Sequence, residues 1–301
     1  MLRAAAIAIC LSLNLAFWAT FVLIGGVLKL FTSGSMRRRV IGALTWLAER
    51  WVQVNNAVFD LFLTTEWRMT GLDELRRDRH YLVISNHISW IDIFAVQRAF
   101  DRRGPFIRFF LKHVLIWSPF VGQAAWALEF PFMRRYSREY LAKHPEKRGR
   151  DLETTRIACR RYRGIPAAIL NYVEGTRFTP EKHAEQSSPY RHLLRPRVGG
   201  IAFVLASFAE QLDAIYDITV IYPKPDASIL DFVTNKLPWV ALHARRIEVP
   251  PEFCGDAITQ PGREREHFKA WVEEVWREKD ELIERTRREG GGAPGGAGVG
   301  R

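Results

Sequence analysis

Cysteine is scarce in this chain of 301 residues: Cys10, Cys159 and Cys254 are scattered and odd in number. Such a set builds neither a disulfide framework nor a zinc cluster, and it points to a reducing compartment. Two catalytic signatures are also missing. No His-Glu-x-x-His occurs and no second histidine stands at ligand spacing from His87, so we expect no metal. No Gly-x-Ser-x-Gly elbow occurs either, which removes the usual serine hydrolase arrangement. Negative charge is short: 33 acidic residues face 44 lysines and arginines, a formal charge of +11. That balance asks for an anionic partner, whether nucleic acid, a phosphate-bearing substrate or an anionic membrane face. No internal repeat is found.

Long apolar runs, by contrast, are present. Ala4 to Leu30 is almost wholly apolar, interrupted by Ser12, Asn14 and Thr20 and closed by Lys29. It exceeds the roughly 20 residues needed to cross a bilayer. A cleaved signal peptide would carry an apolar core of about 7–15 residues ending in small residues. This run ends in Arg37-Arg38-Arg39 instead and reads as a retained anchor. The arginines outweigh Arg3, which places the C-terminal side in the cytoplasm. Val40 to Thr65 reads as an amphipathic helix, lying on the membrane or packed on the following domain, with a re-entrant hairpin as an alternative.

From Trp67 onward the pattern is that of an α/β domain. Strands are predicted at His80–Ser85, Trp126–Phe132, Pro166–Val173, Ala214–Tyr222 and Ala241–Val249, and helices at Ile91–Phe100, Arg150–Tyr162 and Gly200–Gln211. Alternating strands and helices argue for a mostly parallel central sheet flanked by helices. Phe106–Trp126 is densely apolar and aromatic, mostly core with a lipid-contacting part as an alternative. Arg263–Arg288 places Phe268, Trp271, Val272, Val275, Trp276, Leu282 and Ile283 along one helical face, docked on the domain. The division is thus residues 1–65 for anchor and amphipathic helix, 66–289 for the catalytic domain and 290–301 for a disordered Gly/Ala-rich tail.

The chain's chemistry centres on Asn86-His87-Ile88-Ser89-Trp90-Ile91-Asp92, which follows the apolar run Tyr81–Ile84. Strand, tight loop and helix start is where open α/β folds carry reactive groups. On one continuous helix His87 and Asp92 would stand roughly 140° apart at about 100° per residue and could not meet. His87 is therefore placed in the loop and Asp92 in the first helical turn, where the carboxylate can orient the imidazole as in a catalytic triad. The alternative is a loose capping box, with Ser89 as N-cap and Asp92 near the third position. Ser89 is also considered as a nucleophile.

Val173-Glu174-Gly175-Thr176-Arg177 follows another buried strand. Gly175 permits a tight turn there, and Arg177 offers a planar fork suited to a phosphate. Phe132-Met133-Arg134-Arg135 offers guanidinium groups at a strand end, and Leu194-Arg195-Pro196-Arg197-Val198-Gly199-Gly200 is a basic turn before an apolar helix. Each alone fits a solvated basic turn. Nucleic-acid binding explains the charge but neither the anchor nor the carboxylate behind His87.

Asn86-His87 through Asp92, Phe132 to Arg135, Glu174 to Arg177 and Val220-Ile-Tyr-Pro223 resemble, in order and spacing, the four blocks of the glycerolipid acyltransferase family, which includes 1-acylglycerol-3-phosphate acyltransferase. The resemblance covers Tyr81 to Pro223. Ala214–Pro223, with Tyr190–Arg197 before it, looks most like the lysocardiolipin and long-chain lysophospholipid branch. Glu129 stands where the second block often begins with Gly, and the fourth block lacks the Val-Pro form usual in bacterial members. The resemblance implies transfer of an acyl chain from acyl-CoA or acyl carrier protein to a lysophospholipid hydroxyl. His87 would act as general base oriented by Asp92, Arg135 and Arg177 would hold the acceptor's phosphate, and Glu174, Gly175 and Thr176 would belong to the same substrate turn. Backbone N–H groups at the helix start are candidate oxyanion donors. No cofactor is implied beyond the acyl thioester co-substrate. The partners are lipid substrates and a membrane, expected to be a bacterial inner membrane with the domain on its cytoplasmic side. A non-catalytic anionic-lipid-binding protein on the same fold is the alternative, and the His–Asp pair discriminates against it.

Overall fold

The computed structural model describes residues 2–133, 143–144, 150–162 and 164–290. Two long helices open the chain, α1 (Leu2–Leu30) and α2 (Gly34–Phe62). Asn14 reaches the Trp51 carbonyl at 3.0 Å and Asn55 at 2.9 Å, so the two helices form an antiparallel hairpin. Among the described residues, α1 is the one helix long and apolar enough to cross a membrane.

The first strands are β1 (Glu66–Thr70) and β2 (Tyr81–Ser85), followed by α3 (Ile91–Phe100), β3 (Ile107–Phe109) and β4 (Leu111–Lys112). A 3-10 turn over His113–Trp117 leads to α4 (Val121–Ala127) and β5 (Phe132–Met133). Then come α5 (Arg150–Arg161), β6 (Ala168–Tyr172), α6 (Pro180–Glu185), α7 (Gly199–Phe208), β7 (Ala214–Ile221), α8 (Ile229–Val233), β8 (Trp239–Ile247) and α9 (Arg263–Arg288).

Six strands form one sheet in the order β1-β8-β7-β2-β6-β3, and only the β7–β8 pairing is antiparallel. This is the mostly parallel, helix-flanked sheet expected. Its period-2 alternation divides the core. Leu82, Ile84 and Ile169 face a cluster with Cys159 of α5, Leu205 of α7 and Trp276 of α9. Tyr81, Val83 and Leu170 face the other cluster, with Val96 of α3, Phe59 of α2 and Phe232 of α8. Burial on both faces explains why β2 is an unbroken apolar run rather than an alternating one.

The expected strand over Trp126–Phe132 is not formed. The alanines at 124, 125 and 127 continue α4 instead, and Glu129 then takes a left-handed backbone with φ 62°. Only Phe132–Met133 is extended, paired with Leu111–Lys112 in a separate two-stranded ribbon. The left-handed turn accounts for Gly being the usual residue where this chain carries Glu129. Strands β1, β3 and β4 lie outside the predicted strands; β1 is half-exposed at a sheet edge, and β3 and β4 are three and two residues long.

The hairpin is part of the folded body. Val22 of α1 and Leu44, Ala48 and Val52 of α2 pack with Ala125 and Ala127 of α4, Leu128 and Phe130. Lys29 is buried there, donating to the Trp126 carbonyl at 3.2 Å, the Ala127 carbonyl at 2.8 Å and Glu129 at 3.0 Å. Glu129 also accepts from Arg37 at 2.7 Å and Arg161 at 3.0 Å, tying α2 and α5 to the same point.

Candidate active site

Three adjacent parallel strands, β7, β2 and β6, end at one edge of the sheet, and the first, third and fourth sequence blocks leave from those ends. That edge is where open α/β sheets bind ligands. Asn86 leaves β2 first. Its buried amide donates to the Val220 carbonyl at 2.9 Å and accepts from the Val220 N–H at 2.9 Å, imitating one more rung of the ladder to β7. The first block is thereby tied to the fourth.

His87 lies in the loop and Asp92 is the second residue of α3, as the spacing demanded. The imidazole Nδ1 meets Asp92 Oδ2 at 2.8 Å. The same oxygen accepts from the N–H groups of Ile88 at 2.7 Å and Ser89 at 2.9 Å. The other oxygen, Oδ1, accepts from the Tyr222 hydroxyl at 2.5 Å. Four hydrogen-bond donors thus surround a fully buried carboxylate and fix its orientation.

The capping box does not form as expected. The residue before the helix is Trp90, with no side-chain cap, and the Ser89 hydroxyl plays no capping part. Asp92 alone reaches back, and in doing so occupies the N–H groups of Ile88 and Ser89. Those two amides are therefore engaged rather than free to serve as oxyanion donors.

The Val173–Arg177 turn grips the His87 loop by its backbone. Glu174 Oε1 accepts from the His87 N–H at 3.1 Å, and the Phe178 N–H donates to the His87 carbonyl at 2.7 Å. Glu174 Oε2 also accepts from the Leu194 N–H at 3.3 Å. Burial, with the Asp92 charge adding to it, pushes the Glu174 carboxyl up to about 8, against the pull of those two N–H donors and Lys279. Glu174 acts as an internal brace between loops, with its carboxyl buried away from solvent.

Gly175 has φ 71°, and a Cβ there would lie 3.0 Å from Arg197 Cδ. The turn therefore needs glycine and lets Arg197 lie across it. Thr176 accepts from Lys182 at 2.7 Å. Arg177 is exposed, its guanidinium 4.7 Å from the centre of the Trp90 ring. The structure thus gathers His87, Asp92, Glu174, Gly175, Thr176 and Arg177 at one edge. Arg134 and Arg135 lie outside the described residues.

Two tyrosines escaped the sequence reading. Tyr172 stacks on the His87 ring, centroids 4.0 Å apart and planes 15° apart, which fixes the plane of the imidazole. Tyr222 holds the far oxygen of Asp92, and burial beside that carboxylate raises both phenols well above their ordinary range. Tyr222 lies within the Val220–Pro223 block, but a local pattern gives no sign that its hydroxyl reaches a residue 130 positions away. A cleft of about 740 Å³, lined by Gln53, Asn56, Asp60, Trp67, Met69 and Arg98 among others, contains none of these residues.

The 1-acyl-sn-glycerol-3-phosphate acyltransferase epsilon of Mus musculus is 23% identical over 233 residues, covering 69% of this chain and 58% of its own length. The lysocardiolipin acyltransferase 1 of Danio rerio is 25% identical over 298 residues, covering 91% of this chain and 69% of that protein. This chain therefore spans well under two thirds of the mouse relative. The crystal structure of the 1-acyl-sn-glycerophosphate acyltransferase from Thermotoga maritima shares the fold, with a TM-score of 0.50 at 16% identity over 94% of this chain and 98% of that one. A family model described as Acyltransferase matches residues 66–223, more than half of the sequence and all four blocks, so this chain belongs to the acyltransferase family.

Proposed function

We propose that this protein transfers a fatty acyl chain from an acyl thioester, acyl-CoA or acyl carrier protein, to the free hydroxyl of a lysophospholipid such as 1-acylglycerol-3-phosphate. One observation carries the reading: His87 donates Nδ1–H to a buried, fourfold hydrogen-bonded Asp92 while Tyr172 holds its plane. With Nδ1 so engaged, Nε2 is the basic nitrogen. It takes the hydroxyl proton as the oxygen attacks the thioester carbonyl. Asp92 stabilises the imidazolium, and the departing thiolate recovers the proton as the tetrahedral adduct collapses. The ester C–O bond replaces the C–S bond with no acyl-enzyme. Arg177, joined by Arg135, supplies the fork for the acceptor's phosphate.

The anchor belongs to the same reading. Helix α1 carries its apolar exposed side, including Leu13, Phe17, Phe21 and Ile24, into the bilayer, so that a lipid acceptor is drawn from the membrane in which it resides. Residues 1–65 serve as attachment, 66–289 as catalytic domain and 290–301 as tail. The membrane is the bacterial inner membrane, with the domain on its cytoplasmic side.

Turnover of radiolabelled acyl-CoA with a panel of lysophospholipids tests this directly. His87→Ala is expected to abolish transfer while the protein stays folded and membrane-bound, since a positioned base supplies about 10²–10⁴-fold. Wild-type turnover in the folded variant would sink the mechanism. Lipid binding without turnover in the unmutated protein would favour the non-catalytic lipid-binding reading.

A further inference from the structure

We infer that the aromatic loop Val114–Val121 is a second membrane-contacting element, built to enter the interfacial zone of a bilayer containing anionic phospholipid. The inference rests on the membrane reading above and extends it to a part of the catalytic domain. Val114 is 68% exposed and Trp117 78%, while Leu115, Phe120 and Val121 are also open to solvent. A contiguous apolar patch of this kind marks an interaction surface.

The loop is rigid in its construction. Its 3-10 turn packs against α4 so closely that a Cβ on Gly122 would lie 2.1 Å from the Leu115 carbonyl and 2.5 Å from that of Ile116. The Gly122 N–H donates to the Ser118 carbonyl at 2.9 Å, and Gln123 donates to Ile116 at 3.3 Å. Phe120 is held at φ 61°, a conformation costly for an aromatic residue, while half of its side chain faces outward. Backbone strain is thus accepted at a side chain that gains little inside this chain.

Its place in the fold identifies the occupant. Helix α4 lies against the C-terminal half of α1: a Cβ on Gly26 would come within 2.8 Å of Ala127, and Lys29 donates to the Trp126 and Ala127 carbonyls. The exposed apolar end of α1, with Val27, Leu28 and Leu30 and with Phe31 just after it, therefore lies beside the same helix as the loop. Arg37 is fixed to Glu129 at 2.7 Å, which brings the arginine triplet to this end of the hairpin, with Arg38 and Arg39 exposed. Exposed aromatic side chains before α4 and arginines held at Glu129 after it, both next to the apolar end of α1, match an anionic bilayer interface better than another protein surface.

The test uses the full chain with an environment-sensitive fluorophore at single cysteines. Cys159 is buried, and the variants carry Cys10→Ala and Cys254→Ser with either Trp117→Cys or Phe21→Cys; a third keeps the exposed Cys254 as its label site. Vesicles of phosphatidylethanolamine and phosphatidylglycerol with spin-labelled acyl chains serve as quencher. The label at 117 is expected to shift to the blue and lose at least about half its emission, while the label at 254 is unaffected. Quenching at 21 without quenching at 117 overturns this inference and leaves the anchor intact. Absence of quenching at both positions overturns both. Quenching at 117 alone supports the loop and removes α1 as the anchor. Protection of the 117 label from aqueous iodide without vesicles would show a second copy of the chain on the patch and also overturn the inference. Independently, Trp117→Asp should weaken vesicle binding roughly tenfold while leaving turnover of detergent-dispersed substrate unchanged.

Discussion

Arg177 stands on the outer side of its turn with its guanidinium against Trp90, so its position is set by stacking before any phosphate arrives. Lysine keeps the charge but loses both the planar stack and the bidentate fork. We expect Arg177→Lys to lose a charge-assisted contact of roughly 1.5–3 kcal/mol, on the order of tenfold to a hundredfold. Kinetics with each substrate varied in turn should place the loss in use of the lysophospholipid. A defect confined to acyl-CoA would reassign Arg177 to the donor's phosphates. Glu174 makes a different prediction. An unperturbed glutamate titrates near 4.5 and this one near 8, so between those values the folded chain keeps a proton that the unfolded chain has released. The stability from neutral burial is full below about 4.5 and is lost as pH rises through about 8. Glu174→Gln should therefore show a flatter fall in denaturation midpoint than wild type between about pH 5 and about pH 8. Equal slopes would mean that Glu174 is charged in the folded chain.

At the scale of elements, one buried ion pair decides how the hairpin sits. Lys29 and Glu129 are both almost fully inaccessible, and Glu129 bears the left-handed turn that ends the α4 region. Removing one member of such a pair leaves the other charge buried without compensation. Glu129→Gln is accordingly expected to lower stability by about 3 kcal/mol, read by denaturation in detergent. Lys29→Met combined with Glu129→Gln should recover much of that loss, because the double variant buries no charge. Additive losses would show that the pair does not act as a unit. The expected strand over Trp126–Phe132 failed for a related reason. Its apolar run suited a strand, but the alanines favoured helix, and Lys29 satisfies two carbonyls at the end of that helix from outside it.

Over the whole molecule, some features were determined by sequence alone. The α9 boundaries coincide with the expected segment Arg263–Arg288, and β2, β6 and β7 fall inside their apolar runs. The separation of His87 from Asp92 was by itself enough to place one in a loop and the other on a helix, because helical periodicity is a local constraint. The four blocks likewise announced the acyltransferase family. Tertiary structure decided the rest. The antiparallel β7–β8 pairing, the Asn86 bridge to Val220, the Tyr222 hydroxyl on Asp92 and the inward turn of Glu174 all join residues far apart in the chain. Such contacts leave no periodic trace, since each partner's type is compatible with many neighbours until the sheet order brings one particular pair together.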